Sequence, residues 1–425
     1  MSTCRIVPDN GFSTIGSISI KALAEKFNKN RLFVRPIPKD GKRPYQRLPH
    51  WKRDRKIYLV HTILQGGTLP ALFASEQEDD SDTWLMVDGQ QRVSAILEFM
   101  QGELRLSNAG MLKQGVETLA EELEGKRWDD LTAEQKAKFK KYALRVEIIN
   151  DTNPEHIRLQ FHRLNVTAGT MTAMEIWNNS YCGNFTDLLY KVKEDLGFPN
   201  LGEKDLTVSK EGLKSYWLLE NRVVSNTEVL RMQDMDLILS LMAAIVQKAP
   251  LHKDEYTEEL CRDSTMEVTK VNRYYKDFMT NMDILKAIIA KLPSQEFSDM
   301  EFHKKHDFYS LFCAIDEMRR NQEIDATSDM TNIAHNLEVF NMGLRSFIEL
   351  DMKDDRKTVP AWNTIKLPTD WKVPTQTNER KPVIPVYFNS RTRDWNHNSE
   401  ENPNRSIRMD AFLDIMRRRN KISMP

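Results

Sequence analysis

The sequence predicts an α+β protein, with a mixed head over residues 15–168 and an all-α helical body over residues 169–350. Three observations carry this expectation. Short apolar runs that suit buried strands, Leu69–Ala74, Trp84–Val87 and Tyr142–Asn150, all fall before residue 151. Beyond residue 169, "QDMDLILSLMAAIVQK", "YKDFMTNMDILKAIIAKL" and "AHNLEVFNMGLRSFIEL" repeat apolar residues at helical spacing. Prolines at 360, 368, 374, 382 and 385 then mark residues 351–405 as a linker or strap, ahead of a basic amphipathic helix at 406–425.

Each element of the head has its own signal. Ser19 can cap a first helix, "SIKALAEKFN". The stretch Arg35–Lys56 is basic and interrupted by proline. Ile57, Val60 and Leu64 share one face of a second helix that stops at Gly66-Gly67. "SEQEDDSD" reads as an acidic, solvated loop between two strands. In "TWLMVDGQQRVSAILEFMQGE", an apolar strand runs into an Asp-Gly-Gln-Gln-Arg cluster. Val93, Ile96, Leu97 and Met100 then mark a helix face. Pro154 suits the first turn of a helix after the strand Tyr142–Asn150.

Composition narrows the class. Hydrophobic residues at 40% and charged residues at 29% describe a globular chain with a sizeable core. A net charge of −1 gives no global field for nucleic acid, so any such binding must come from a local patch. Cys4, Cys182, Cys261 and Cys313 are scattered without zinc spacing and suit reduced thiols. The start of the chain lacks the apolar segment of a signal peptide, and the apolar run near Leu237–Val246 is too short to span a bilayer. A cytoplasmic protein without membrane contact is expected.

The strand-to-helix junction is the first candidate site. A helix start exposes backbone N–H groups and the positive end of the helix dipole, which favour phosphate. Asp88 with Gln91 has capping-box spacing, which offers a purely structural account. Gly89 would allow close approach to the backbone, Gln90 and Gln91 offer donors and acceptors, and Arg92 adds a cation. In "KRPYQRLPHW", Gln46 and Arg47 offer a further phosphate or base contact, with Trp51 and Tyr45 as loop anchors or stacking surfaces. In "FHRLNVTAGTMTAMEIWNN", Arg163 and Asn165 lie at a helix end, and an Arg163–Glu175 ion pair would order the junction of head and body. His303 and His306 are flanked by lysines without a carboxylate-rich set and read as solvated. His397 in "WNHNSEENPN" lacks the second histidine of an HNH nuclease.

Taken together, "YQRxxxW", "VDGQQRxxxILxF" and "FxRLNxxxxxMTxxEIWN" resemble, in order and spacing, the N-terminal domain of the GmrSD type IV restriction systems. The resemblance covers residues 15–185 and implies a ParB/sulfiredoxin-like head. It further implies nucleotide binding and NTP hydrolysis in bacterial defence against phage or modified DNA. Asp88, Gly89, Gln90, Gln91 and Arg92 would form the nucleotide site, with Asp88, Gln91 and Arg92 catalytic. Gln46, Arg47, Arg163 and Asn165 would line it. A divalent ion such as Mg2+ would accompany the triphosphate at Asp88, and Glu175 would couple the site to the body. A separate effector chain would receive the signal. Many relatives carry an HNH-type nuclease domain that this sequence does not show, so DNA cleavage by this chain alone is not expected. A second reading is a non-catalytic DNA-binding module that uses the same turn, with Arg35–Lys56 and Arg417–Lys421 as basic patches. A third is a scaffold with a degenerate site.

Overall fold

The structure is a computed structural model. It describes residues 13–37, 46–77, 80–108, 121–151, 153–166, 171–201, 210–250, 255–292, 296–353, 372–374, 380–382 and 403–418. The chain divides into two compact units, residues 1–182 with 200–208, and residues 183–199 with 209–425.

The first unit is built on a five-stranded mixed sheet among the described residues. Strand β1 (Ser13–Ser19) runs straight into helix α1 (Ile20–Asn28), where the Ser19 hydroxyl accepts from the N–H of Ala22 at 3.2 Å. After β2 (Leu32–Phe33) come α2 (Arg53–Gln65), β3 (Leu72–Gln77), β4 (Asp80–Asp88), α3 (Gln90–Met100), α4 (Ala133–Lys141), β5 (Ala143–Ile149), α5 (Pro154–Val166) and α6 (Ala173–Ser180). The spatial order is β1-β5-β3-β4-β2. β1 with β5 and β3 with β4 are antiparallel, while β3 with β5 and β2 with β4 are parallel.

Period-two alternation sends neighbouring strand residues to opposite faces. Leu72, Ala74, Met86, Leu144 and Val146 join the main core with α1 to α4. Phe73, Val87 and Ile149 join a second cluster with Ile157, Phe161 and Leu164 of α5. β4 is thus covered on both sides, which explains its unbroken apolar run. The acidic "SEQEDDSD" stretch differs from the expected loop. Strand pairing continues to Gln77↔Asp80, and Asp82 is paired to Lys26 and Arg31. Those two cations hold the Asp82 carboxyl below the usual range. Sequence showed the negative charges but not the two cations that α1 and β2 bring alongside them.

The second unit is helical. It holds α7 (Asn184–Asp195), α8 (Lys210–Leu213), α9 (Trp217–Glu220), α10 (Asn226–Leu230), α11 (Gln233–Gln247), α12 (Glu255–Arg262), α13 (Val268–Ile289), α14 (Lys305–Arg320) and α15 (Thr331–Lys353), with α16 (Pro403–Met416) closing it. The proline-containing stretch also forms a two-stranded sheet, β6 (Lys372–Pro374) with β7 (Arg380–Pro382), which its sequence did not signal. α16 has one buried and one exposed face, and its buried face carries an arginine as well as apolar residues. Arg408, Met409, Ala411, Phe412, Leu413, Ile415 and Met416 are buried on one side, and Ser406, Asp410 and Arg417 are exposed on the other.

Phe99, Trp128 and Phe139 meet with centroids 5.4–5.7 Å apart, at the centre of the main core of the first unit. Phe99 is fully buried. We expect Phe99→Ala to destabilise this unit by about 3–5 kcal/mol, measured by urea unfolding, because both transfer energy and packing are lost.

Candidate functional site

Gly89 joins β4 to α3 in a single residue. Its φ of 102° lies in the left-handed region, and it serves as the N-cap of α3. A Cβ there would meet Leu72 Cδ2 at 2.4 Å. The glycine is therefore needed by the fold itself, because the space beside it is occupied by Leu72. The Asp-x-x-Gln spacing does not produce a capping box: α3 has no side-chain cap. Asp88 instead accepts from Arg92 Nη2 at 2.8 Å, since Gly89 displaces the cap by one residue and turns the aspartate toward the next helical turn.

Arg92 is buried. Its guanidinium also donates to the carbonyls of Pro70 and Ala71, the latter at 3.0 Å. Burial pulls its pKa below the ordinary arginine value, and the Asp88 carboxylate opposes that shift. Arg92 thus fixes one oxygen of Asp88, whose side chain remains 36% exposed.

Both glutamines of the motif reach across to residues 46–51. Gln91 Oε1 accepts from the N–H groups of His50 at 2.8 Å and Trp51 at 3.0 Å. Gln90 Nε2 donates to the Arg47 carbonyl at 2.6 Å. Gln46 Nε2 donates to the carbonyls of Met86 at 2.7 Å and Val87 at 3.2 Å, the two residues ahead of Asp88. Both partners are acceptors, so the amide cannot be flipped, and Gln46 Oε1 is a buried acceptor without a protein partner. Trp51 packs on the main core with Arg55 over its ring at 4.6 Å, as a loop anchor would. Tyr45 lies outside the described residues.

The third cluster joins the same site by a different contact from the one the spacing suggested. Glu175 pairs with Arg47. Its second oxygen accepts from the N–H of Thr172 at 2.8 Å, which closes a capping box at the start of α6. Residues 46–51 carry Arg47 to the buried Glu175, a contact that sequence proximity did not suggest. Asn165 sits in the last turn of α5. The first unit runs through Cys182, so α6 is part of it.

Sequence reading missed a further tie. Lys56 Nζ bonds both carboxylate oxygens of Glu98 at 2.6 Å and locks α2 to α3. The two residues are 42 positions apart, so no local spacing could reveal them. Elsewhere, His303 Nδ1 lies 2.6 Å from the Met300 carbonyl, and no cluster suited to a metal occurs among the described residues. His397 lies outside them. Arg417 pairs with Glu317 and Glu323, and Arg418 with Asp414, so part of the expected basic patch is engaged within the chain. No helix among the described residues is long and apolar enough to cross a membrane.

Fold and site together define an α+β domain that presents a strand-to-helix turn braced by a loop of glutamine contacts. Residues 23–182 match the family described as GmrSD restriction endonuclease, N-terminal domain, and this segment is a domain of that family. The family is that of a restriction system. No curated protein and no solved structure matches the chain.

Two substitutions test this account of the turn. Gly89→Ala should destabilise the first unit by at least about 1–2 kcal/mol from backbone strain, before Leu72 is displaced. Arg92→Ala orphans the Pro70 and Ala71 carbonyls at about 1–3 kcal/mol each where they stay dry. Urea unfolding that leaves both variants as stable as wild type would remove the structural role given to the motif.

Proposed function

We propose that the β4–α3 turn binds the phosphates of a nucleoside triphosphate and hydrolyses it, as the switch or sensor of a restriction-type defence system. The observation that carries this reading is a helix of 11 residues with no side-chain cap, starting beside a partly exposed carboxylate. Uncapped N–H groups and the helix dipole favour an anion at that point. The GmrSD family match supplies the restriction-system context. We read the head as ParB-like on the same motifs, and the chain as cytoplasmic.

A divalent cation accompanying the triphosphate would have Asp88 as its one protein carboxylate, with phosphate oxygens and water as its other ligands. Hard cations of this kind take oxygen ligands, often one or two carboxylates with water and phosphate oxygens. Asp88 offers a carboxylate, and Gln46 Oε1 offers a buried acceptor suited to a bound water. Such an ion, held at Asp88, would neutralise phosphate charge. Within the chain, Arg92 orients Asp88, and Gly89, Gln90 and Gln91 present the helix start. Arg163 and Asn165 of α5 join the nucleotide site on the strength of the resemblance. A separate effector chain would read the bound state.

A second reading places a DNA backbone phosphate at the same turn. It is favoured by Lys52, Arg53 and Arg55, which are exposed at the start of α2. Phosphate contacts of that type would make binding strongly salt-dependent.

A DNA-free sample titrated with four NTPs and Mg2+, scored for heat stabilisation and released phosphate, tests the first reading. We expect one NTP to stabilise the protein. Stabilisation by duplex DNA alone would favour the second reading. Asp88→Asn retains an oxygen to accept from Arg92, so its fold should survive. We expect it to lose phosphate release, and turnover at the wild-type rate would remove Asp88 from the chemistry.

A further inference from the structure

Arg47 makes two kinds of contact at once. Its carbonyl accepts from Gln90, the first residue of α3, at 2.6 Å. Its guanidinium pairs with Glu175, whose side chain is fully buried. Glu175 is itself held firmly. Its N–H donates to Thr172 Oγ1 at 3.3 Å, its Oε2 accepts from the Thr172 N–H at 2.8 Å, and its carbonyl accepts from Asn179 Nδ2 at 2.6 Å. At the other end of the same loop, Gln91 takes the N–H groups of His50 and Trp51. Residues 46–51 therefore form a strut fastened to the first turn of α3 at both ends and to α6 by Arg47.

We propose that Arg47 is a positioning residue, whose ion pair with Glu175 holds the strut and thereby the first turn of α3 in the geometry that receives phosphate. This deepens the nucleotide reading and rests on it for the ligand. The physical reason lies in the missing cap. With no side chain bonded to the helix start, the orientation of its N–H groups depends on what Gln90, Gln91 and Arg92 touch. Two of those three reach the strut. Without the ion pair the strut must be ordered when the ligand binds, and that cost lowers the observed affinity. Glu175 touches the ligand in neither state, so its effect passes through Arg47.

Glu175→Gln is the central variant, because glutamine still completes the capping box with Thr172 and α6 keeps its start. Two measurements decide the proposal. The first is amide hydrogen exchange on the nucleotide-free chain. His50 and Trp51 donate to Gln91, and Arg92 and Val93 donate to the Gly89 carbonyl, so all four N–H groups report on the brace. We expect exchange at these sites to quicken about ten-fold in Glu175→Gln, with α4 unchanged. The second is titration with Mg2+ and the NTP that wild type binds. Glu175→Gln and Arg47→Met should each weaken binding about ten-fold, which corresponds to about 1.4 kcal/mol. The double variant should also be about ten-fold weaker rather than a hundred-fold, and Arg47→Lys should recover part of the loss. Unchanged exchange at the four amides overturns the proposal. So do additive losses, or an Arg47→Met defect that Glu175→Gln does not share, which would mean that Arg47 meets phosphate directly. If wild type binds no NTP, the nucleotide reading falls, and the exchange measurement still decides whether Glu175 braces the turn.

Discussion

A single backbone conformation at Gly89 ends β4 and begins α3, and the rest of the site depends on it. With φ at 102°, the chain reverses from strand to helix without an intervening loop. Asp88 therefore stays on the strand while Gln90, Gln91 and Arg92 occupy the first helical turn. The left-handed conformation costs an L-residue about 1–2 kcal/mol, and Leu72 fills the space where a Cβ would sit. No other residue type fits this position without moving a buried leucine. The aspartate is also removed from the capping position, which leaves its carboxylate to Arg92 and leaves the helix start without a side-chain cap.

From that turn the motif's side chains diverge into distinct duties. Arg92 looks at first like a ligand for phosphate, since it is a cation one turn into a helix. Its burial and its three acceptors, Pro70, Ala71 and Asp88, argue for a brace. Removing a buried guanidinium from such partners leaves each acceptor unsatisfied, a larger loss than one exposed phosphate contact would return. Arg92 engages one oxygen of Asp88, whose side chain remains partly exposed. The division of labour is between a carboxylate that faces outward and a cation that holds it.

The two glutamines of the motif and Gln46 work by length. An amide on a long side chain can reach backbone groups of a neighbouring segment, and each end has a defined polarity. Gln91 uses its oxygen on two N–H groups, while Gln90 and Gln46 use their nitrogens on carbonyls. Residues 46–51 have no helix or strand of their own, so these bonds and the Arg47–Glu175 pair give the loop its fixed shape. The second unit uses buried charge in a comparable way. Asp234 is fully buried between Lys193 and the Tyr216 hydroxyl, and α16 places the buried Arg408 beside Asp307 and Ser310. Partners of this kind are costly to separate, because a buried charge would be left behind.

Much of the architecture was written in local pattern. The Ser19 cap of α1, the Gly66 stop of α2, the buried run of β4, Pro154 at the start of α5 and the long helices of the second unit all follow from short-range periodicity and turn chemistry. The three motif clusters were visible as well, and so was the family they resemble. What the sequence could not show was which group meets which. Asp88 looked like a cap until Gly89 took that place, and the fold brought Arg47 to Glu175 from far along the chain. The acidic hairpin gained its cations, and α16 its buried surroundings, from segments that are remote in sequence. Local spacing decides secondary structure because its interactions span a few residues. The pairing of buried polar groups is decided by tertiary packing, because each must find a partner wherever the closed core leaves one.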